Sequence, residues 1–187
     1  MNDGPFSLLN ALSTVKGKDK PPIHLWHPEQ VKEIDMEIRA NGDWYHEGTI
    51  IRRQRLVHLF ASVLRKEDER YYLVTPAEKC QIKVEDVPFQ IVLMNVVGTD
   101  EDQVLSFTTN MAEEFCADAD HPLRFVSLDD TPAPYVHVRD GLDGKLNRNV
   151  YYQLADLLTE SICAEERWLG VWSSGIFFPV IRASEVG

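Results

Sequence analysis

The feature that most constrains this chain is a change of apolar period near Arg53. Ile34, Met36 and Ile38 alternate with Asp35, Glu37 and Arg39, the period of a strand with one face buried. Asn41-Gly42 follows, a pair that tolerates positive φ, and predicts a two-residue hairpin turn into a return strand, Trp44–His46, stopped by Gly48. Beyond Arg53 the stripe Leu56, Leu59, Phe60, Val63 and Leu64 has the spacing of one helix face. Lys66–Arg70 reads as a charged turn and Tyr71–Thr75 as a strand broken at Pro76. Gln81–Glu85 is another strand, with Ile82 and Val84 inward. From Gly42 to Val84 the order is hairpin, helix, hairpin.

The same order returns after Pro134. Tyr135-Val136-His137 places an aromatic two residues before a histidine, as Trp44-Tyr45-His46 does, and Asp140-Gly141 and Asp143-Gly144 supply turns. A helix is predicted from Asn149 as N-cap, with Val150, Leu154, Leu157 and Leu158 inward. These four positions match Leu56, Phe60, Val63 and Leu64 of the first helix, while Leu59 aligns with the polar Gln153. Strands Trp168–Trp172 and Ile176–Ile181 follow, joined by Ser173-Ser174-Gly175. A linked motif occurring twice in one order is the mark of an internal repeat.

The segment between the copies reads as antiparallel sheet. Phe89–Val97 is a nearly continuous apolar strand, as expected when both faces are covered. Val104–Thr109, Glu113–Ala117 and Leu123–Leu128 follow at short intervals marked by turn residues. Asp86-Val87-Pro88 reads as the seam, since proline cannot donate to a ladder. The expectation is an α+β protein of two small domains built on a repeated strand-strand-helix-strand-strand motif with mostly antiparallel sheets. Residues 1–22 form an extension and linker, 23–86 the first domain and 87–187 the second. Within the extension, Phe6–Val15 has the spacing of a short amphipathic helix, and Lys16–Pro22 that of a linker.

Composition excludes several functional classes. A net charge of −11 over 187 residues repels phosphate backbones and disfavours nucleic acid. No apolar run reaches membrane-spanning length, and the first residues lack the basic start of a signal peptide. Cys80, Cys116 and Cys163 are odd in number, far apart and without CxxC spacing, which fits free thiols in a reducing cytoplasm. There is no Walker loop, GxGxxG, GxSxG or HExxH. His24 and His27 in IHLWHPE lack further ligands for zinc, so an extended segment packing Leu25 and Trp26 on the core is expected there.

The segments DMEIRANGDWYHEGTIIRRQRLVHLFASVLRK, YYLVTPAEKCQIKVEDVPF, FTTN, HPLR and YVHVRDG resemble the bacterial family named domain of unknown function 1285 (DUF1285), over Ile23 to Val180. The resemblance implies two α+β domains with a repeated motif, and a cleft between them taking a nucleotide-like ligand in signalling. It carries over no catalytic residues, and Phe6–Val15 falls outside it.

Candidate binding residues are polar groups at strand ends and clustered cations. Thr75, Glu78 and Lys79 close one strand, Thr109 and Asn110 another, and His121 with Arg124 opens a third. Hydroxyl, amide and guanidinium groups so placed can converge on phosphate and sugar, although turn formation and charge pairing explain any one of them. Arg52 and Arg53, with Arg55, sit at a helix start where acids are preferred, so they read either as an anion site or as a solvated face. His46 and His137 are candidates for paired acid-base groups or for strand histidines bonded to backbone. Cys116 with His121 lacks an orienting group for a nucleophile pair. Asp118, Asp120, Asp140 and Asp143 read as turn formers rather than calcium ligands.

The first reading is a cytoplasmic module holding a small anionic ligand between its domains, with no cofactor, metal or catalytic residue assigned. The second is a protein-interaction module docking a partner through Trp168, Trp172, Phe177 and Phe178. The third is an enzyme of unrecognised class using His46, His137 or Asp120.

Overall fold

The computed structural model describes residues 20–128 and 131–185, so the expected helix Phe6–Val15 lies outside the described residues. The chain divides into two compact units between Pro88 and Phe89.

The first unit opens with a 3-10 turn at Ile23–Leu25. It continues through β1 (Gln30–Ile38), β2 (Trp44–His46), β3 (Thr49–Ile50), α1 (Gln54–Ser62), β4 (Leu64–Glu67), β5 (Arg70–Val74) and β6 (Glu78–Val84). These strands form one six-stranded sheet in the order β3-β2-β1-β6-β5-β4. Its sole parallel contact is β1 with β6. Residues paired across a ladder share a face, so Leu64, Leu73 and Cys80 lie on one side and Arg65, Tyr72 and Gln81 on the other. On the first side Phe60 of α1 is fully buried and stacks on Trp44 with ring centroids 6.1 Å apart. Val57 and Ala61 are buried with it, whereas Leu56 and Leu59 are half-buried. Val63 and Leu64 leave the expected helical stripe because the chain enters the sheet there, Val74 N–H donating to Val63 O at 3.0 Å.

The opposite side carries a polar layer. Arg65 donates from its two terminal nitrogens to Ile23 O (3.1 Å), Trp26 O (2.7 Å) and the Glu67 carboxylate (2.6 Å). Lys79 also pairs with Glu67 and lies over the Tyr72 ring at 4.7 Å. Arg65 therefore clamps the entering segment to the sheet. That segment is not extended: its 3-10 turn buries Ile23, and Leu25 is 66% exposed. The turn after β1 is also wider than two residues. Asn41 Oδ1 accepts from Asp43 N–H at 3.0 Å, and Arg39 N–H donates to Asp43 O at 2.9 Å, with Gly42 at φ 87°. An asparagine side chain that captures the backbone two residues on favours this longer loop.

The second unit comprises β7 (Phe89–Val97), a 3-10 turn at Asp100–Asp102, β8 (Val104–Thr109), β9 (Glu114–Cys116), β10 (Leu123–Leu128), β11 (Thr131–Arg139), β12 (Leu142–Leu146), α2 (Arg148–Ala155), β13 (Thr159–Cys163), β14 (Glu166–Ser173) and β15 (Ile176–Arg182). A six-stranded sheet has the order β10-β11-β12-β7-β8-β9, and β13-β14-β15 form a separate three-stranded sheet. Every pairing is antiparallel except β12 with β7. Hairpin, helix and antiparallel strands thus recur in order, as β11-β12-α2 and the strands after it. The pairing differs: the strands after α1 rejoin their hairpin's sheet through β1 and β6, whereas those after α2 make a sheet of their own.

Two local expectations are corrected. β7 is not covered on both faces: Phe89 and Ile91 are fully buried, but Leu93 is 59% and Val97 70% exposed, so burial stops near Ile91, where the pairing with β12 also ends. The N-cap of α2 is Asn147, not Asn149, and its Oδ1 accepts from Val150 N–H at 2.9 Å.

The small sheet is fastened to the large one by hydrogen bonds. Ser173, fully buried, accepts from Leu105 N–H at 3.0 Å and donates to Ala117 O at 2.7 Å. Gln103 Nε2 donates to Trp172 O at 2.8 Å and Ser174 N–H to Gln103 O at 3.0 Å.

Replacing Ser173 by alanine strands the Leu105 N–H, so chemical denaturation of Ser173→Ala should show a loss of about 1–3 kcal/mol. A second expectation follows from Glu67, whose hydrogen bond from Lys79 outweighs partial burial, so that with Arg65 beside it the carboxyl is held below its ordinary value of 4.5. The folded form then binds this proton less readily than the unfolded form. The stabilisation is complete above pH 4.5 and is lost as pH falls through the lower, folded value. Thermal melts of Glu67→Gln across that acid range should show a flatter pH dependence than the parent.

Candidate functional site

The densest convergence of candidate residues is on one face of the second unit's large sheet. The β10–β11–β12 register sets Arg124 opposite Tyr135, Tyr135 opposite Lys145, and His137 opposite Asp143. Asp143 sits at the centre. Its Oδ2 accepts from an Arg124 terminal nitrogen at 2.7 Å, and its Oδ1 lies 3.4 Å from His137 Nδ1. Tyr135 is buried beneath the guanidinium of Arg124 (4.8 Å) and the ammonium of Lys145 (5.4 Å). His121 joins from the loop before β10, where Asp118 Oδ1 accepts from the N–H groups of Asp120 and His121 at 2.9 Å each. Its Nδ1 is 3.2 Å from His137 O, and its ring lies 4.8 Å from Phe115 and 6.4 Å from His137.

A carbonyl or carboxylate oxygen only accepts, so at both contacts the imidazole Nδ1 is the donor. The face thus offers two imidazole Nε2 atoms and a guanidinium half exposed to solvent, around one carboxylate. Arg139 does not join it: past the bulge after His137 it pairs with Leu142, and its Nε bonds both Glu113 oxygens (3.2 and 3.1 Å) over the Phe89 ring on the other face.

The other candidates are elsewhere. Thr75 is fully buried, and its Oγ1 donates to Glu78 O and accepts from the N–H groups of Ala77 and Glu78, closing the β5–β6 turn. Thr109 does the same for its own turn, accepting from Met111 and Glu113 N–H at 3.1 Å each. Asn110 Oδ1 accepts from Gln90 N–H at 3.1 Å. Glu78 pairs with Lys32 at 2.7 Å and Lys79 with Glu67, as above. Arg52, Arg53 and Arg55 are exposed at the start of α1, and His46 is half-buried on β2. Asp120 and Asp140 are exposed, Asp140 with φ 49° in the β11–β12 turn. Of the proposed docking aromatics, Phe178 is buried and Trp168, Trp172 and Phe177 are half-buried. An open cleft of about 480 Å³ near the far end of the small sheet is lined by both signs of charge, and Arg182 there is paired with Glu166 at 3.1 Å.

Asp143 and Tyr135 are the residues that sequence reasoning placed elsewhere, one as a turn former and the other as a strand aromatic. Their alternation with His137 and Lys145 along a hairpin was the available signal, and it becomes legible only once the register is known.

The thiols do not join the site. Burial, with the Glu78 charge adding to it, pushes the Cys80 thiol up to about 11, and the thiolate is the reactive form. A thiol reagent at neutral pH should therefore modify the half-buried Cys116 and Cys163 and leave Cys80 intact until denaturant is added, as read by mass spectrometry.

Fold and site define a two-domain α+β protein with a mixed imidazole–guanidinium face on its second domain. The chain belongs to the DUF1285 family: residues 21–87 match the N-terminal domain of unknown function (DUF1285) and 88–180 the C-terminal domain of that family of unknown function. It is similar to the crystal structure of a DUF1285 family protein from Silicibacter pomeroyi DSS-3, at 42% identity and TM-score 0.87, over 100% of this chain and 99% of that one. It is also similar to a DUF1285 family protein from Shewanella baltica OS155, at 31% identity and TM-score 0.52, over 65% of this chain and 90% of the other. No functionally curated protein matches the chain.

Proposed function

We propose that this protein is a ligand-binding or regulatory module that takes a small anionic, nucleotide-like ligand on the His121–Arg124–His137 face. The observation that supports the reading is the pairing of Arg124 and His137 on a single carboxylate, with His121 against His137 and Lys145 over Tyr135 beside it, in a chain of net charge −11. Asp143 occupies the place that a ligand phosphate or carboxylate would take. A planar guanidinium suits bidentate recognition of such groups, and imidazole Nε2 atoms suit the hydroxyls and edges of a sugar or base. The reading is one of binding rather than chemistry, since Asp143 is committed to Arg124 and the Cys80 thiol is held protonated.

Titration of the ¹⁵N-labelled protein with inorganic phosphate and with AMP tests it. Saturable shifts should appear at Phe115, His121 and His137. Arg124→Ala should weaken binding at least about tenfold, and Asp143→Asn should tighten it by releasing the guanidinium. Shifts that do not saturate by about 10 mM ligand, or that ignore both substitutions, end the reading.

A second reading, docking of a protein partner, is favoured by β7, which exposes Leu93 and Val97 in succession along one strand. On that reading Leu93→Lys with Val97→Lys abolishes association while leaving the melting temperature unchanged.

A further inference from the structure

One edge of β7 is open beyond the point where β12 leaves it. Asn147 N–H donates to Ile91 O at 3.1 Å, which ends the bonding on that side. From Val92 to Val97 the strand pairs with β8 alone, among the described residues.

The bonding of β8 decides which backbone groups face the open edge. Leu105 turns both of its groups away from β7, its N–H donating to Ser173 Oγ at 3.0 Å and its C=O accepting from Ala117 N–H at 2.9 Å. Thr109 N–H likewise donates away, to Glu113 O at 2.9 Å. Phe107 lies between them in the same alternation. In an antiparallel ladder two opposed residues either bond each other or both turn their groups outward. Val96 opposes Leu105 and Met94 opposes Phe107, so these two β7 residues turn N–H and C=O to the open edge. Among the described residues no hydrogen bond is made to them there.

A row of outward donors and acceptors on a strand is complementary to another strand. Edges are commonly blunted by lysine, proline or a bulge. The register with β8 slips at Val92, but beyond it Leu93-Met94-Asn95-Val96-Val97 holds no proline and no charge. Apolar contacts are offered on both faces beside this edge. Leu93 and Val97 are exposed on one. On the other, Val96 adjoins a cavity of about 270 Å³ walled also by Leu157, Leu158 and the half-buried Trp172. Charge then narrows the occupant. Two copies of a chain of net charge −11 repel, and the exposed Asp100 and Asp156 at the cavity favour a basic partner.

We propose that β7 receives a strand from a partner protein at Met94–Val96. The segment is extended, with apolar residues at alternate positions and a lysine or arginine at one end. Its backbone completes the ladder that β12 leaves unfinished. One face of its side chains packs on Leu93 and Val97, and the other reaches the cavity beside Val96. The proposal rests on the protein-docking reading of β7 and names its partner's chemistry; it is independent of the His121–Arg124–His137 face.

Selection of displayed random peptides about seven residues long, a strand's length, against the full chain at physiological salt tests it. Enriched peptides should show the alternating apolar pattern with a basic end. On binding, amide exchange at Met94 and Val96 should slow at least about tenfold. Val96→Pro removes an edge donor and spares the groups bonded to β8, so it should weaken the enriched peptide at least about tenfold. N-methylation of alternate peptide residues should do the same, and it keeps the test decisive if Val96→Pro does not fold. Binding that is lost in Leu93→Lys with Val97→Lys, yet ignores Val96→Pro and N-methylation, leaves β7 a docking face and overturns strand addition. Enrichment of no peptide also overturns it. Self-association by sedimentation that Val96→Pro removes gives the edge to a second copy and overturns the assignment to a basic partner.

Discussion

Each unit depends on one parallel ladder between strands far apart in the chain. In the first unit β1 joins β6, from Gln30 opposite Glu78 to Ile38 opposite Val84. Without it the β1–β3 and β4–β6 ribbons would be two small ribbons, too narrow to be stable alone. With it they become one surface on which Trp44, Phe60, Leu73 and Cys80 bury together. In the second unit β12 joins β7 over Phe89–Ile91 alone. That contact is short, the half of β7 beyond it is exposed, and the strands after α2 are held by Ser173 and Gln103 rather than by a ladder.

Much of this was legible in the residues. The alternation at Ile34, Met36 and Ile38, the helical stripe ending at Phe60, and the hairpin signals after Pro134 are local patterns, and local patterns survive folding. What was not legible depends on pairing. Phe89–Val97 is nearly continuously apolar, and composition does not reveal that burial stops at Ile91. The strand Thr159–Cys163 is polar on much of its length and carries no alternation strong enough to announce itself. The helix cap falls on Asn147 rather than the expected Asn149, directly after β12 ends at Leu146.

The site follows the same rule. His121 and Arg124 were identifiable as polar groups at a strand end and His137 as a candidate acid-base histidine, but their neighbour Asp143 was hidden as a turn residue, since cross-strand partners are set by register. Thr75 and Thr109 show the converse. Each is a buried hydroxyl that binds its own turn, so a residue type suited to ligands is consumed by backbone donors.

The wide separation of β1 from β6 bears on how the protein is made. A chain emerging from the ribosome presents Met36 and Ile38 long before Val84 exists to cover them, and non-local ladders are slow to close. The nascent β1–β2 ribbon therefore stays an incomplete sheet until β6 arrives to pair with β1. Once Val84 is out, the hydrogen-bonded ladder of the first unit is complete within itself. The first domain can then close while the second is still being synthesised.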